Sequence, residues 1–179
     1  MKMTPLNIAI FAGAIIIGMF LGLQFSGFAW LLIPLAIFVV VVLMRNKSGD
    51  KADPAETAEA MKMIPATGKA RIYVMRKGFV AGQQGMNITI GDQFNSQIRS
   101  KYFLMAEVEP GTHEVTAQMS SGSKSAAVSH EVTLAEGEIA LLDMKINMGA
   151  LQGKPDFTEI RDAREANGML TGLKLVKWK

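Results

Sequence analysis

Residues 101–119 read Lys101-Tyr102-Phe103-Leu104-Met105-Ala106-Glu107-Val108, then Glu109-Pro110-Gly111, then Thr112-His113-Glu114-Val115-Thr116-Ala117-Gln118-Met119. The first segment is a short aromatic and aliphatic run of strand length. The last alternates polar and apolar residues with period two, the signature of a strand with one face on a core. Pro110-Gly111 between them is a strong turn signal. Strand, turn and strand in 19 residues set the expectation of an antiparallel, mainly β domain.

The same period extends in both directions. Upstream, residues 70–76 (Ala-Arg-Ile-Tyr-Val-Met-Arg) predict a strand, and a loop follows with Gly78, Gly82 and Gly85. Residues 87–90 predict a second strand, turning at Gly91-Asp92. Downstream, residues 126–134 and 138–147 predict strands around the Glu136-Gly137 turn, and residues 157–160 and 173–177 two short ones. Asp162 and Glu165 have capping-box spacing and announce one short helix. Several short strands separated by turns suggest an all-β sandwich. Residues 68–179 are long enough to bury a core of that kind.

The order of these motifs resembles a known type. Residues 70–76, a glycine-rich loop, Ile88-Thr89-Ile90-Gly91-Asp92, Pro110-Gly111-Thr112-His113-Glu114-Val115 and Leu134-Ala135-Glu136-Gly137-Glu138 follow one another. The pattern resembles bacterial sandwich domains of the PEGA and carboxypeptidase-regulatory-like type. It is most similar to an uncharacterised bacterial family of membrane-anchored proteins and lipoproteins. The resemblance spans about residues 68–179 and rests on turn chemistry, so it implies a fold and no activity. Many members of such families are exported, which makes a periplasmic β domain the alternative topology.

The amino-terminal quarter differs. Lys2 is the single charge in residues 1–44, while all 16 Asp/Glu lie beyond it. Residues 6–23 and 28–44 are two apolar runs separated by Gln24-Phe25-Ser26-Gly27. As helices each would extend roughly 25–27 Å, close to a hydrocarbon core of about 30 Å. The expectation is therefore a membrane-anchored protein, with a transmembrane α-helical hairpin over residues 1–44. Residues 45–67 then form a linker with a short helix begun at Asp53-Pro54, and residues 68–179 a β-sandwich with one short helix. Lys2, Arg45, Lys47 and Lys51 flank the runs and the turn is uncharged, so the positive-inside rule places both termini and the β domain in the cytoplasm. The expected localisation is the bacterial inner membrane, with two spans. A cleaved signal peptide over residues 1–27 is the rival, but the run is long for one and lacks a cleavage signature.

Chemistry is sparse. Zero cysteines exclude disulfides, thiolate nucleophiles and cysteine-ligated metals. A net charge of +3 does not suggest a nucleic-acid partner. His113 and His130 are the only histidines, each beside a glutamate that a strand turns to the opposite face. No catalytic residue, metal ligand or cofactor is expected, and the chain is read as non-enzymatic. Two candidate contact sets remain. Ala14, Gly18 and Gly22, at four-residue spacing, suit close packing between helices. Arg161, Arg164, Lys174, Lys177, Trp178 and Lys179 form a basic, Trp-bearing carboxyl end suited to a protein partner or a lipid bilayer. The expected function is an accessory subunit of an integral-membrane complex, docked by the hairpin and covering its host with the sandwich. The alternative is a membrane-tethered sensor of peptides or glycans.

Overall fold

The computed structural model describes residues 49–78, 84–120, 126–148 and 153–179, with residues 13, 16–18, 20, 33–37 and 39–40 near the amino terminus. The chain divides into two compact units, Met1–Met44 and Arg45–Lys179.

The second unit is mainly β. Its strands are β1 (Ala70–Arg76), β2 (Met86–Ile90), β3 (Phe94–Ile98), β4 (Tyr102–Val108), β5 (Gly111–Met119), β6 (Val128–Leu134), β7 (Ile139–Met148), β8 (Gly153–Ile160) and β9 (Lys174–Leu175). They form a five-stranded sheet, β8-β7-β1-β4-β9, and a four-stranded sheet, β3-β2-β5-β6. Two short helices complete the unit, α1 (Pro54–Ala60) and α2 (Ala163–Leu170).

The deciding stretch of sequence makes a corner between sheets rather than a hairpin. β4 pairs with β1 and β9, whereas β5 pairs with β2 and β6. Pro110-Gly111 therefore carries the chain from one sheet to the other. Gly111 holds φ at +142° there, a conformation side-chain-bearing residues rarely adopt.

Alternation explains both layers of the core. Ile72 and Val74 of β1, Leu104 and Ala106 of β4, Ile88 of β2 and Val115 of β5 point between the sheets. Tyr73 and Met75 of β1 and Phe103 of β4 point the other way, beneath Ala60 of α1 and Ala166 and Leu170 of α2. The five-stranded sheet is thus covered on both faces, and every residue of β1 is buried. Such a central strand reads as a continuous rather than an alternating run.

Both helices carry the caps their sequences promise. Asp53 accepts from the Glu56 N–H at 2.8 Å, and Glu56 returns the bond to the Asp53 N–H at 3.2 Å. Asp162 accepts from the Glu165 N–H at 2.7 Å. The segment read as a linker is bonded to the sandwich. The Tyr73 hydroxyl donates to Ala60 O at 2.8 Å, the Asn167 amide to Met61 O at 2.5 Å, and the Ala66 N–H to Glu107 Oε1 at 2.9 Å.

The membrane-anchored fold class with its transmembrane helical hairpin is corrected. Among the described residues no helix is long and apolar enough to cross a membrane. The two-span inner-membrane localisation rests on the same helices and is corrected with them. The remainder of residues 6–23 and 28–44 lies outside the described residues.

Candidate functional site

The two open sides of the sandwich are closed by different means. On the β3/β4 side the main chain closes it. The Gly49 N–H donates to Gln97 O and the Lys179 N–H to Asn95 O, both on β3 and both at 2.9 Å. The Val176 N–H donates to Phe103 O on β4 at 3.0 Å. Residues 49–52 and 175–177 pair with each other through Ala52 N–H to Leu175 O, Lys177 N–H to Asp50 O, and the Lys51–Val176 bridge. Ser96 Oγ adds a bond to Lys177 O at 3.0 Å.

Trp178 fills the gap behind this strap. Its ring lies 5.3 Å from that of Phe94 on β3, and its Nε1 donates to Met105 O on β4 at 2.7 Å. One half-buried indole therefore joins the two sheets. Lys177 extends to Glu56, Nζ to Oε1 at 2.7 Å, and that bond holds its pKa above the usual lysine value. Lys174 and Lys179 are exposed on the same strap. Arg164 is exposed on α2, and Arg161 lies on the opposite side of the sandwich, bonded to Glu159 and Thr133. The basic carboxyl end is thus dispersed, and no single face presents all six residues. Of the helix-packing set, Ala14 and Gly22 lie outside the described residues. Gly18 is exposed in a helical stretch, with open space where a Cβ would point.

On the β6/β8 side, side chains close the sandwich. His130 Nε2 of β6 meets Glu159 Oε2 of β8 at 2.7 Å, and its ring lies 5.8 Å from that of Phe157. Arg161 also binds Glu159 and donates from Nη1 to Thr133 O at 2.9 Å. Burial pushes the Glu159 carboxyl up, but the bonds from His130 and Arg161 outweigh it and leave it below the usual carboxylate range.

Other polar groups are bound into the fold. The Arg71 guanidinium, largely buried, binds Glu107 Oε1 from Nε at 3.0 Å. The Ala66 N–H, with Arg71 and Lys69, holds the Glu107 carboxyl below its usual range despite partial burial. Burial raises the Tyr73 hydroxyl, and burial lowers Arg76, whose Nη1 donates to Gln84 O at 2.5 Å. His113 Nε2 meets Glu109 O at 2.7 Å. Among the described residues no group of three or more acids or histidines could hold a metal ion.

The outer face of the four-stranded sheet is polar. Gln97, Asn87 and Gln118 stand in one cross-strand row, and Asn95, Thr89, Thr116 and Ser129 in the next. Gln97 is only 7% exposed; its Nε2 donates to Asn87 Oδ1 at 2.8 Å, and its buried Oε1 has no partner among the described residues. Gln97, Arg71 and Glu159 are not marked by any sequence motif. The first sits in a strand that the apolar pattern does not mark. The other two matter through partners 36 and 29 residues away. No protein-family model matches the chain, and no curated protein is similar to it, so nothing in these comparisons identifies the family that its turn motifs resemble.

Proposed function

We propose that the chain is a non-enzymatic accessory subunit of a larger protein assembly, acting through its β-sandwich. One observation carries this. Both histidines, with Arg71, Glu107 and Glu159, are engaged in ties between structural elements: His130 with Glu159, Arg71 with Glu107, His113 with Glu109 O. A catalytic site needs a nucleophile or base aimed at a reacting atom and free to act on it. Here those groups hold strands and loops together. The proposal is confined to the sandwich; no described helix is long and apolar enough to cross a membrane, so a membrane-embedded docking hairpin has no part in it.

Crosslinking mass spectrometry in the native source tests this. The expected result is reproducible crosslinks from Lys145, Lys154 or Lys174 to a second protein. Recovery of a monomer with intrachain crosslinks alone would contradict it.

A second reading, a ligand-binding sensor, is favoured by the buried Gln97 Oε1, without a partner among the described residues, in its row of amides. An unsatisfied buried polar atom calls for an explanation, and a bound donor is one. Neutral oligosaccharides should then raise the thermal midpoint of the wild type and leave Gln97→Leu unchanged. Equal midpoints with and without sugar would exclude glycans.

A further inference from the structure

The accessory-subunit reading needs a surface that accepts a partner, and the sheet edges differ in their capacity to do so. The sheets end at β8 and β9 and at β3 and β6. The strap described above occupies the edges at β3 and β9. β8 is blunted by its own sequence. Pro155 has no N–H, and the Phe157 N–H is taken by Asp156 Oδ1 at 3.0 Å. Proline on an edge strand and a capped N–H both discourage strand addition.

β6 is different. Thr133 O accepts from Arg161, away from β5. Backbone groups alternate along a strand, so Ser129 and Glu131 turn their N–H and C=O outward as well. Among the described residues, no hydrogen bond from another segment reaches those outward groups.

The side chains beside this edge carry a charge signal. Three cross-strand pairs follow one another on the outer face of β5 and β6. Thr112 and Thr133 are hydrogen-bonded at 2.8 Å, and Thr116 and Ser129 at 3.0 Å. Between them stand Glu114 and Glu131, directly opposite, both exposed, and in no ion pair among the described residues. Like charges directly opposite are destabilising, and a cation on a third strand would relieve them. A second copy of β6 would instead bring another Glu131 to the same place.

We propose that β6 is an acceptor edge for an extended segment of a different protein, paired with the backbone of Ser129 and Glu131 and carrying Lys or Arg beside Glu131. This rests on the accessory-subunit reading. Main-chain pairing would supply affinity and the basic side chain register.

The test is an amide chemical-shift titration of the full chain with two synthetic heptapeptides of alternating threonine and valine, one with a central lysine and one with a central glutamate. The lysine peptide should shift the Ser129, Glu131 and Thr133 amides and bind about fivefold more tightly than the glutamate peptide. Glu131→Lys should reverse that order. Shifts centred on β3 or β8, equal binding of both peptides, or self-association of the chain through β6 would overturn the proposal. Crosslinking of Glu131→Pro, with its thermal midpoint checked against wild type, separates the two claims. Partner crosslinks lost with the fold retained support the β6 edge. Crosslinks that persist overturn the edge and leave the accessory role standing. A wild-type chain without partner crosslinks overturns both.

Discussion

The two sides of the sandwich bring separate sheets together with opposite chemistry. The β3/β4 side uses peptide groups: a strap from residues 174–179, backed by residues 49–52, satisfies the strand edges it covers. The β6/β8 side uses His130, Glu159 and Arg161, whose side chains reach across while, among the described residues, no other segment bonds to the outward backbone of Ser129 and Glu131. A backbone strap both holds and blocks, because every N–H it satisfies is withdrawn from any partner. A side-chain clasp holds without blocking. One domain thereby combines a sealed side with an accessible one.

The largest expected effect lies on the sealed side. Trp178→Ala removes the ring against Phe94 and the bond to Met105 O, and should cost about 3 kcal/mol in chemical denaturation. A loss as small as that of a surface substitution would break the contrast. Gly49→Ala comes next. A Cβ there would meet Lys177 O at 2.6 Å and Ser96 Oγ at 2.7 Å, neither of which yields easily, and about 2 kcal/mol should be lost.

Glu159→Gln, on the clasped side, should cost about 1 kcal/mol, since two partly exposed, charge-assisted contacts, to His130 and Arg161, are weakened and no packing is removed. The same residue gives that side an acid dependence. Its carboxyl sits below the usual value in the folded state, so its stabilisation is present above about pH 4.5 and is lost as pH falls through the folded value. Thermal midpoints from pH 7 to pH 3 should fall less steeply in Glu159→Gln than in wild type. Parallel curves would remove Glu159 from the account. Smallest is Lys177→Met, which breaks only an exposed pair with Glu56 and should leave the thermal midpoint unchanged.

Much of the strand order was legible because burial writes itself as alternation. β5 is the plainest case, with Val115, Ala117 and Met119 buried and polar residues between them. β3 was not legible. Its interior is Asn95-Ser96-Gln97, poor in strand formers, and it exists because β2 pairs with one of its sides and the strap with the other. β8 begins four residues before the strand expected at 157–160, since Pro155 argues against a strand unless the strand is an edge. α1 announced itself through Asp53, Pro54 and Glu56, but its seat on Tyr73 depends on a contact 13 residues away. From sequence Trp178 suits a protein partner or a lipid bilayer; only the meeting of β3 and β4 shows the gap that it fills. The amino-terminal hairpin rests on apolar composition alone, and among the described residues no helix is long and apolar enough to cross a membrane.

Native-state amide hydrogen exchange at residue resolution tests the contrast between the two sides most directly. The Gly49, Ala52, Val176, Lys177 and Lys179 amides should be protected, while Ser129 and Glu131 exchange at rates near those of open chain despite lying within a seven-residue strand. Protection of Ser129 and Glu131 equal to that of the strap would contradict the account, because the β6 edge would then be closed.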